Sequence, residues 1–265
     1  MAKIKEIEVR PVYAVKEKAQ QYHLFHSDHD TVAVMVHGFT GSPYDMRELA
    51  EYLFERGVDS VSVRLAGHGT HIKELMNTSY DDWLASVEES IQDIKKSGKR
   101  IFLVGYSFGA NIALDIASRA PEDYAGIICL GTSIIWRAKA YYFPLYYLFR
   151  ALGIKKIRKP YVRRKEIEVF ESLGNYADFP VKGLGMFRDV VKKRTRKQLH
   201  QITTPILIVH SSNDRISHPR SSEFLFDNVG STYKEMFVLP DMNHNPLRSE
   251  SRDKIFHKIV QFMMG

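Results

Sequence analysis

Residues 100–120 read RIFLVGYSFGANIALDIASRA. An apolar run of strand type ends in Gly105-Tyr106-Ser107-Phe108-Gly109 and passes at once into helical spacing. Open α/β sheets bind ligands outside the carboxyl ends of their strands, and a sharp strand-to-helix turn presents its central residue there. In G-x-S-x-G that residue is a serine, and the glycines let neighbouring backbone pass close to a strained turn. The pentapeptide by itself is degenerate. The strand before it and the helix after it make Ser107 a candidate nucleophile rather than a plain turn residue.

Outward from this stretch, apolar runs alternate with amphipathic segments. EIEVRPVYAV (6–15) and QYHLFH (21–26) predict early strands, antiparallel at one sheet edge, and TVAVMVHGF (31–39) predicts a strand covered on both faces. SPYDMRELAEYLFERG (42–57) has a serine cap, a proline at the first helical position and a closing glycine, so it predicts a helix. DSVSVRL (59–65) follows as strand and DDWLASVEESIQDIKKSG (81–98) as helix. Beyond the opening stretch come YAGIICLGTS (124–133), TPILIVHSS (204–212) and EMFVLPD (235–241) as strands. RSSEFLFDNVG (220–230) and SRDKIFHKIVQFMM (251–264) are the accompanying helices. This alternation predicts an α/β class fold, with a mostly parallel central sheet and helices on both faces. Residues 133–200 interrupt it without a β-branched run. They predict an inserted helical cap subdomain with a return helix, and residues 1–132 and 201–265 are left as the core.

With 44% hydrophobic and 26% charged residues, the chain has the composition of a soluble globular domain rather than a disordered or fibrous one. Its single cysteine, Cys129, excludes an intrachain disulfide and a cysteine metal site, and is expected of a reducing compartment. The first fifteen residues lack the apolar core of a signal peptide, and no later run approaches the length of a membrane span. The expected location is cytoplasmic. Residues 133–200 hold seventeen Lys/Arg against five Asp/Glu, so the basicity of the chain belongs to the cap. A solvated helical face accounts for such a segment, and so does peripheral contact with anionic lipid, where each basic residue contributes about 1 kcal/mol. No base-reading motif accompanies the charge, so nucleic acid is not an expected partner.

A serine hydroxyl needs a base to take its proton, and the base needs an orienting acid. His244 follows the last predicted strand and Asp214 follows the strand before it, so both fall at the same sheet edge as Ser107. Asp241 is the alternative acid, if its loop folds back tightly on His244. Asp115 and His257 lie inside predicted helices, while His210 and His218 flank the Asp214 loop less favourably. The negative oxygen of an acyl-transfer intermediate also needs donors. HGFTGSP (37–43) offers two glycines before a helix N-terminus, and by the template of a G-x-S-x-G elbow the expected oxyanion donors are the backbone N–H groups of Phe39, in this loop, and Phe108, after the serine. His37 is read as a shaping hydrogen-bonder of that loop.

HGFTGSP, RLAGHGTH, GYSFG, SSND and DMNH, in this order across nearly the whole chain, resemble the bacterial carboxylesterase and monoacylglycerol lipase branch of the α/β-hydrolases. The resemblance implies an α/β-hydrolase fold with a small cap and a serine esterase acting on short to medium acyl esters or monoacylglycerols without a cofactor. It also implies that Phe39 and Phe108 carry the oxyanion amides and that Gly67, His68 and Gly69 shape a loop near the pocket. The chain departs from this branch at Phe108, where Met is frequent, and at Ala110, where a further Gly is common. Both departures bear on the shape of the acyl pocket.

The expected substrate pocket takes Gly38, His68 and Tyr106 around the serine, and Tyr142, Phe143 and Tyr146 from the aromatic run of the cap. That run serves equally as an acyl channel or as the cap's own core. His68 and His71 lack acids or thiols at ligand spacing, so no metal is expected. The expected partner is a small ester with an apolar acyl group. A thioesterase or acyltransferase using the same groups is the nearest rival, and a non-catalytic ligand binder on the same fold is the rival from another class.

Overall fold

The computed structural model describes residues 13–137, 139–240 and 243–265, with the side chains of residues 139–143 outside that description. The expected strand over 6–15 and the alternative acid Asp241 therefore lie outside the described residues, apart from residues 13–15, which form no strand.

Seven strands form one sheet. They are β1 (Tyr22–Leu24), β2 (Thr31–Val36), β3 (Val58–Val63), β4 (Arg100–Tyr106), β5 (Gly126–Leu130), β8 (Ile206–Ser211) and β9 (Lys234–Leu239), in the spatial order β1-β3-β2-β4-β5-β8-β9. β1 runs antiparallel to β3 at the edge, and every other pair in the sheet is parallel. Parallel neighbours need crossovers, and helices supply them. α1 (Arg47–Phe54) follows β2; α2 (Ile72–Asn77) and α3 (Tyr80–Lys95) follow β3; α4 (Phe108–Arg119) follows β4.

The pleat explains why these strands read as unbroken apolar runs. Val32, Val34 and Val36 face a core shared with Trp83 and Val87 of α3 and with α4, while Ala33 and Met35 face Leu49 and Leu53 of α1. Cys129 is buried in the first of these cores, and burial pushes its thiol up to about 12. α3 starts in a capping box, with Ser79 and Asp82 each accepting from the other's backbone N–H.

Between β5 and β8 the chain forms α5 (Lys139–Ala151), β6 (Lys156–Arg158), α6 (Ile167–Ser172), β7 (Asp178–Pro180) and α7 (Val181–Val190). α7 continues through a π-helical turn, Val191–Thr195, into α8 (Arg196–Gln198). The segment is thus not wholly helical, because β6 and β7 pair as an antiparallel ribbon. Strands of three residues rich in Lys, Arg, Asp and Pro leave no β-branched signal in the sequence. α9 (Arg220–Asn228) joins β8 to β9, and α10 (Arg252–Met264) packs Ile255, Phe256 and Ile259 beside α1.

One register decides where chemistry can occur. β2 and β4 are neighbours, and their last pair is Val36 with Gly105. The chain leaves β2 toward α1 on one face of the sheet and leaves β4 toward α4 on the other. This is the switch point at which a doubly wound sheet opens a crevice. His37-Gly38-Phe39 and Tyr106-Ser107 sit side by side at its mouth.

Candidate active site

Ser107 has φ +54° and ψ −116°, a conformation that costs a non-glycine residue energy. It survives because the surroundings fix it: the Ser107 N–H donates to Leu130 O at 2.7 Å, and the Ser107 carbonyl accepts from the Ala110 N–H at 3.1 Å. The flanking glycines are required by close approach. A Cβ on Gly109 would lie inside van der Waals contact of the Val36 and His37 carbonyl oxygens, and one on Gly105 would strike the backbone of Ala110.

His244 and Asp214 reach this serine from the loops after β9 and β8. His244 Nε2 is 2.8 Å from Ser107 Oγ, and His244 Nδ1 is 2.8 Å from Asp214 Oδ2. The other oxygen, Asp214 Oδ1, accepts from the Ile216 N–H at 2.7 Å and the Ser217 N–H at 2.9 Å. Burial alone would raise the Asp214 carboxyl. The bond from His244 and the backbone donors outweigh it and hold the group below its ordinary value. With the carboxylate ionised, Nδ1 carries a proton and Nε2 is left to accept from the serine hydroxyl.

His210 lies 3.5 Å from Asp214 Oδ2 through Nε2, beyond good hydrogen-bond length, so it leaves the Asp214–His244 bond undisturbed. Asp115 lies apart from the serine in a structural cluster. It accepts from Tyr80 OH at 2.8 Å and pairs with Arg119 and Arg194.

Beside Ser107, the 37–41 loop turns through Thr40 at φ +63°. A Cβ built on Gly38 would meet Ser107 Cβ at 3.3 Å, so this backbone passes directly over the serine. Neither the Phe39 N–H nor the Phe108 N–H donates to an acceptor among the described residues.

Two buried imidazoles brace the loop from behind. His37 Nδ1–H donates to Gly38 O at 2.9 Å, and the Thr40 N–H donates to His68 Nε2 at 3.2 Å. Burial pushes His37 down to about 4 and His68 well below its ordinary value, so both are neutral. His68 therefore does not line the pocket, contrary to the sequence expectation. It is fully buried between His37 and Trp83, where its role is to hold Thr40. His71 is likewise engaged, accepting from the Lys73 N–H at the start of α2.

The cavity over Ser107 measures about 1020 Å³ and is lined by Gly38, Phe39, Tyr106 and Tyr146 among others. The side chains of Tyr142 and Phe143 are outside the described residues. Tyr146 is buried, whereas Tyr147 is 56% exposed and accepts from Arg188 at 2.7 Å, so the aromatic run divides between cavity wall and surface. Phe187 touches Phe108 at 4.2 Å between ring centroids and Trp136 at 5.1 Å, which builds an apolar wall with Leu184. Beyond Phe39 the lining turns polar, with Asp45, Lys159, Asn175 and Arg248. Trp136, Phe187 and Lys159 were not anticipated from the sequence. They come from the interrupting segment, where no local motif signals which side chains turn inward.

Residues 33–257 match a family model described as the alpha/beta hydrolase family. The chain belongs to that family. Among α/β-hydrolases, the thermostable monoacylglycerol lipase of Bacillus sp. strain H-257 is 30% identical over 245 residues, covering 90% of this chain and 92% of the relative. The carboxylesterase of Bacillus subtilis is 24% identical over 237 residues, covering 88% of this chain and 92% of the relative. A solved structure of the metagenome-derived lipolytic enzymes LipS and LipT superposes with a TM-score of 0.82 at 22% identity, covering 95% of this chain and 99% of that one. That likeness establishes the α/β-hydrolase fold.

Proposed function

We propose that this α/β-hydrolase is a serine carboxylic ester hydrolase acting on short to medium acyl esters or monoacylglycerols. The observation that carries the reading is the line from Asp214 Oδ2 through His244 to Ser107 Oγ, with 2.8 Å at each joint. Ser107 Oγ attacks the ester carbonyl carbon while its proton passes to His244 Nε2. The carbonyl oxygen takes the displaced electron pair and is received by the Phe39 and Phe108 N–H groups, each worth about 3 kcal/mol of transition-state stabilisation. Collapse breaks the bond to the alcohol, which leaves with the proton from His244. Water then attacks the acyl-enzyme by the same route, releasing the acid and restoring Ser107. Asp214 stays ionised throughout, holding the imidazole and stabilising its charged form.

The relatives named monoacylglycerol lipase and carboxylesterase support an ester substrate, and the wall of Trp136, Leu184 and Phe187 supports an apolar acyl group. Residues 1–132 and 201–265 serve as the catalytic core and 133–200 as its cap. Exposed Leu145, Leu148, Leu152 and Val169 stand among the basic residues of this cap and support contact with an anionic lipid surface. Sedimentation with anionic and neutral vesicles tests that contact; equal binding to both removes it. Among the described residues no helix is long and apolar enough to cross a membrane.

Labelling with a fluorophosphonate tests the serine, with Ser107→Ala as control. The wild type is expected to label and the variant not to; an unlabelled wild type overturns the reading. A series of esters and thioesters of increasing chain length then fixes the substrate, and faster thioester turnover transfers the assignment to a thioesterase.

A further inference from the structure

Lys159 is 3% exposed, yet it lines the same cavity as Ser107. It follows β6 and is tied to the chain before β7 by a backbone bond from its N–H to Ala177 O at 3.0 Å. Its ammonium lies 5.0 Å from the ring centroids of Phe170 and Phe179 and 5.9 Å from that of Tyr161. Three rings favour a cation electrostatically, and a π face takes no conventional hydrogen bond.

Among the described residues no carboxylate lies at ion-pair distance from Lys159, and the two that influence it are engaged elsewhere. Asp45 holds Arg248 at 3.1 Å and accepts from Asn175 at 3.3 Å. Asp178 is bound by both Lys156 and Arg158. Burial pushes the Lys159 ammonium down to about 7, against the pull of Asp45 and Asp178. A buried charge without a paired carboxylate is costly to keep, and a counter-charge arriving from the cavity would relieve that cost.

The rings also fix which part of a substrate Lys159 meets. Phe179 stacks on Phe39 at 6.1 Å, and Phe39 also lies 6.2 Å from Phe187. Lys159, beside Phe179, and the apolar wall of Phe187 and Trp136 are thus separate parts of one lining, each in contact with the ring series that runs through Phe39. An acyl chain on that wall leaves the Lys159 part of the lining to the alcohol portion of the ester.

We propose that Lys159 selects esters whose alcohol portion carries an anionic group, a phosphate or a carboxylate, and binds that group in the cavity. This inference rests on Ser107 being the nucleophile of an ester hydrolase. It adds a charge preference that ester hydrolysis alone does not require.

Three soluble butyryl esters test it: butyrylglycerol, butyrylglycerol phosphate and 3-butyryloxypropanoate, compared by kcat/KM in the wild type and in Lys159→Met. The wild type is expected to favour at least one anionic ester over the neutral one by about tenfold or more, the scale of a hydrogen bond to a charged group. Lys159→Met should erase that preference, with an intact cooperative thermal unfolding transition showing that the variant is folded. Preference for the phosphate ester alone, or for the carboxylate alone, identifies the group. Should the methionine variant fail to fold, inhibition of wild-type butyrylglycerol hydrolysis by glycerol phosphate and by 3-hydroxypropanoate decides the matter, with competitive inhibition expected from the preferred anion. A wild type that hydrolyses all three esters equally and is inhibited by neither anion overturns the proposal and leaves the serine hydrolase intact. A wild type that hydrolyses none of them overturns the underlying reading instead.

Discussion

The Thr40 N–H donates to Nε2 of fully buried His68 at 3.2 Å, and this bond holds a β-branched residue at φ +63°. Thr40 would not adopt that conformation unaided. The Phe39 N–H, one residue earlier, belongs to the same turn. His68→Phe keeps an aromatic ring in the site but removes the acceptor. Stability is expected to fall by about 1–3 kcal/mol for the orphaned amide. If the Phe39 N–H serves the oxyanion, kcat falls more than tenfold with KM little changed. Urea unfolding and steady-state kinetics on a p-nitrophenyl ester provide the check, and an unaltered kcat would separate His68 from the loop's function.

Asp214→Asn makes a sharper test of the hydrogen-bond line than removal of the side chain. Because Oδ1 is held by the Ile216 and Ser217 N–H groups, the asparagine oxygen should take its place and turn the NH2 group toward His244 Nδ1. That forces the proton onto Nε2, which then faces Ser107 as a donor. The expected loss in kcat is about 10⁴-fold with the fold intact, as judged by an unchanged unfolding midpoint. A loss of less than tenfold would mean that the acid is another residue.

Gly109→Ala is expected to be disproportionately damaging for the addition of one methyl group. The new Cβ meets the carbonyl oxygens of Val36, the last residue in the β2 register, and of His37 just beyond it, backbone atoms that cannot yield like flexible side chains. A destabilisation of about 3 kcal/mol or more should accompany loss of activity. Thermal unfolding beside Gly57→Ala, whose Cβ has open space but whose φ is +85°, distinguishes crowding from backbone strain.

Stability should also depend on pH through the buried imidazoles. His37 is held near 4 in the fold against an ordinary 6.5, so between these values the unfolded chain binds the extra proton. Folding free energy is therefore fully available above about 6.5 and declines as pH falls toward 4, by about 3 kcal/mol for this group. His68 acts in the same direction. Urea midpoints measured at intervals from pH 7 to 4 should fall across this window, and the fall should be shallower in His37→Gln.

The parts of this site that could be read from the sequence are those whose positions follow from strand ends. Ser107, Asp214 and His244 each stand just beyond an apolar run, and the parallel sheet that such runs predict carries all three to one edge. His68 was misplaced because the sequence shows its neighbours in HGTH but not the depth to which the loop sinks. Its partner Thr40 is 28 residues away, and only the packed core joins them. Lys159 was invisible for a related reason. In KKIRKPYVRRK it is one cation among many, and only the pairing of β6 with β7 buries it while Lys156 and Arg158 stay partly exposed and paired with Asp178. The ribbon itself gave no signal, being short and charged.

The loops after β2, β4, β8 and β9 supply every group on the Asp214–His244–Ser107 line and both amides beside it, whereas the walls that meet a substrate come largely from the chain between β5 and β8. On the proposed mechanism, proton path and substrate choice are thus written in separate parts of the polypeptide. Exchanging the β5–β8 segment for that of another family member is a graft from the end of β5 at Leu130 to the start of β8 at Ile206, two neighbouring parallel strands whose register, Ile127 with Ile206 and Leu130 with Val209, need not change. On that mechanism selectivity can drift or be re-engineered without disturbing Ser107, His244 or Asp214.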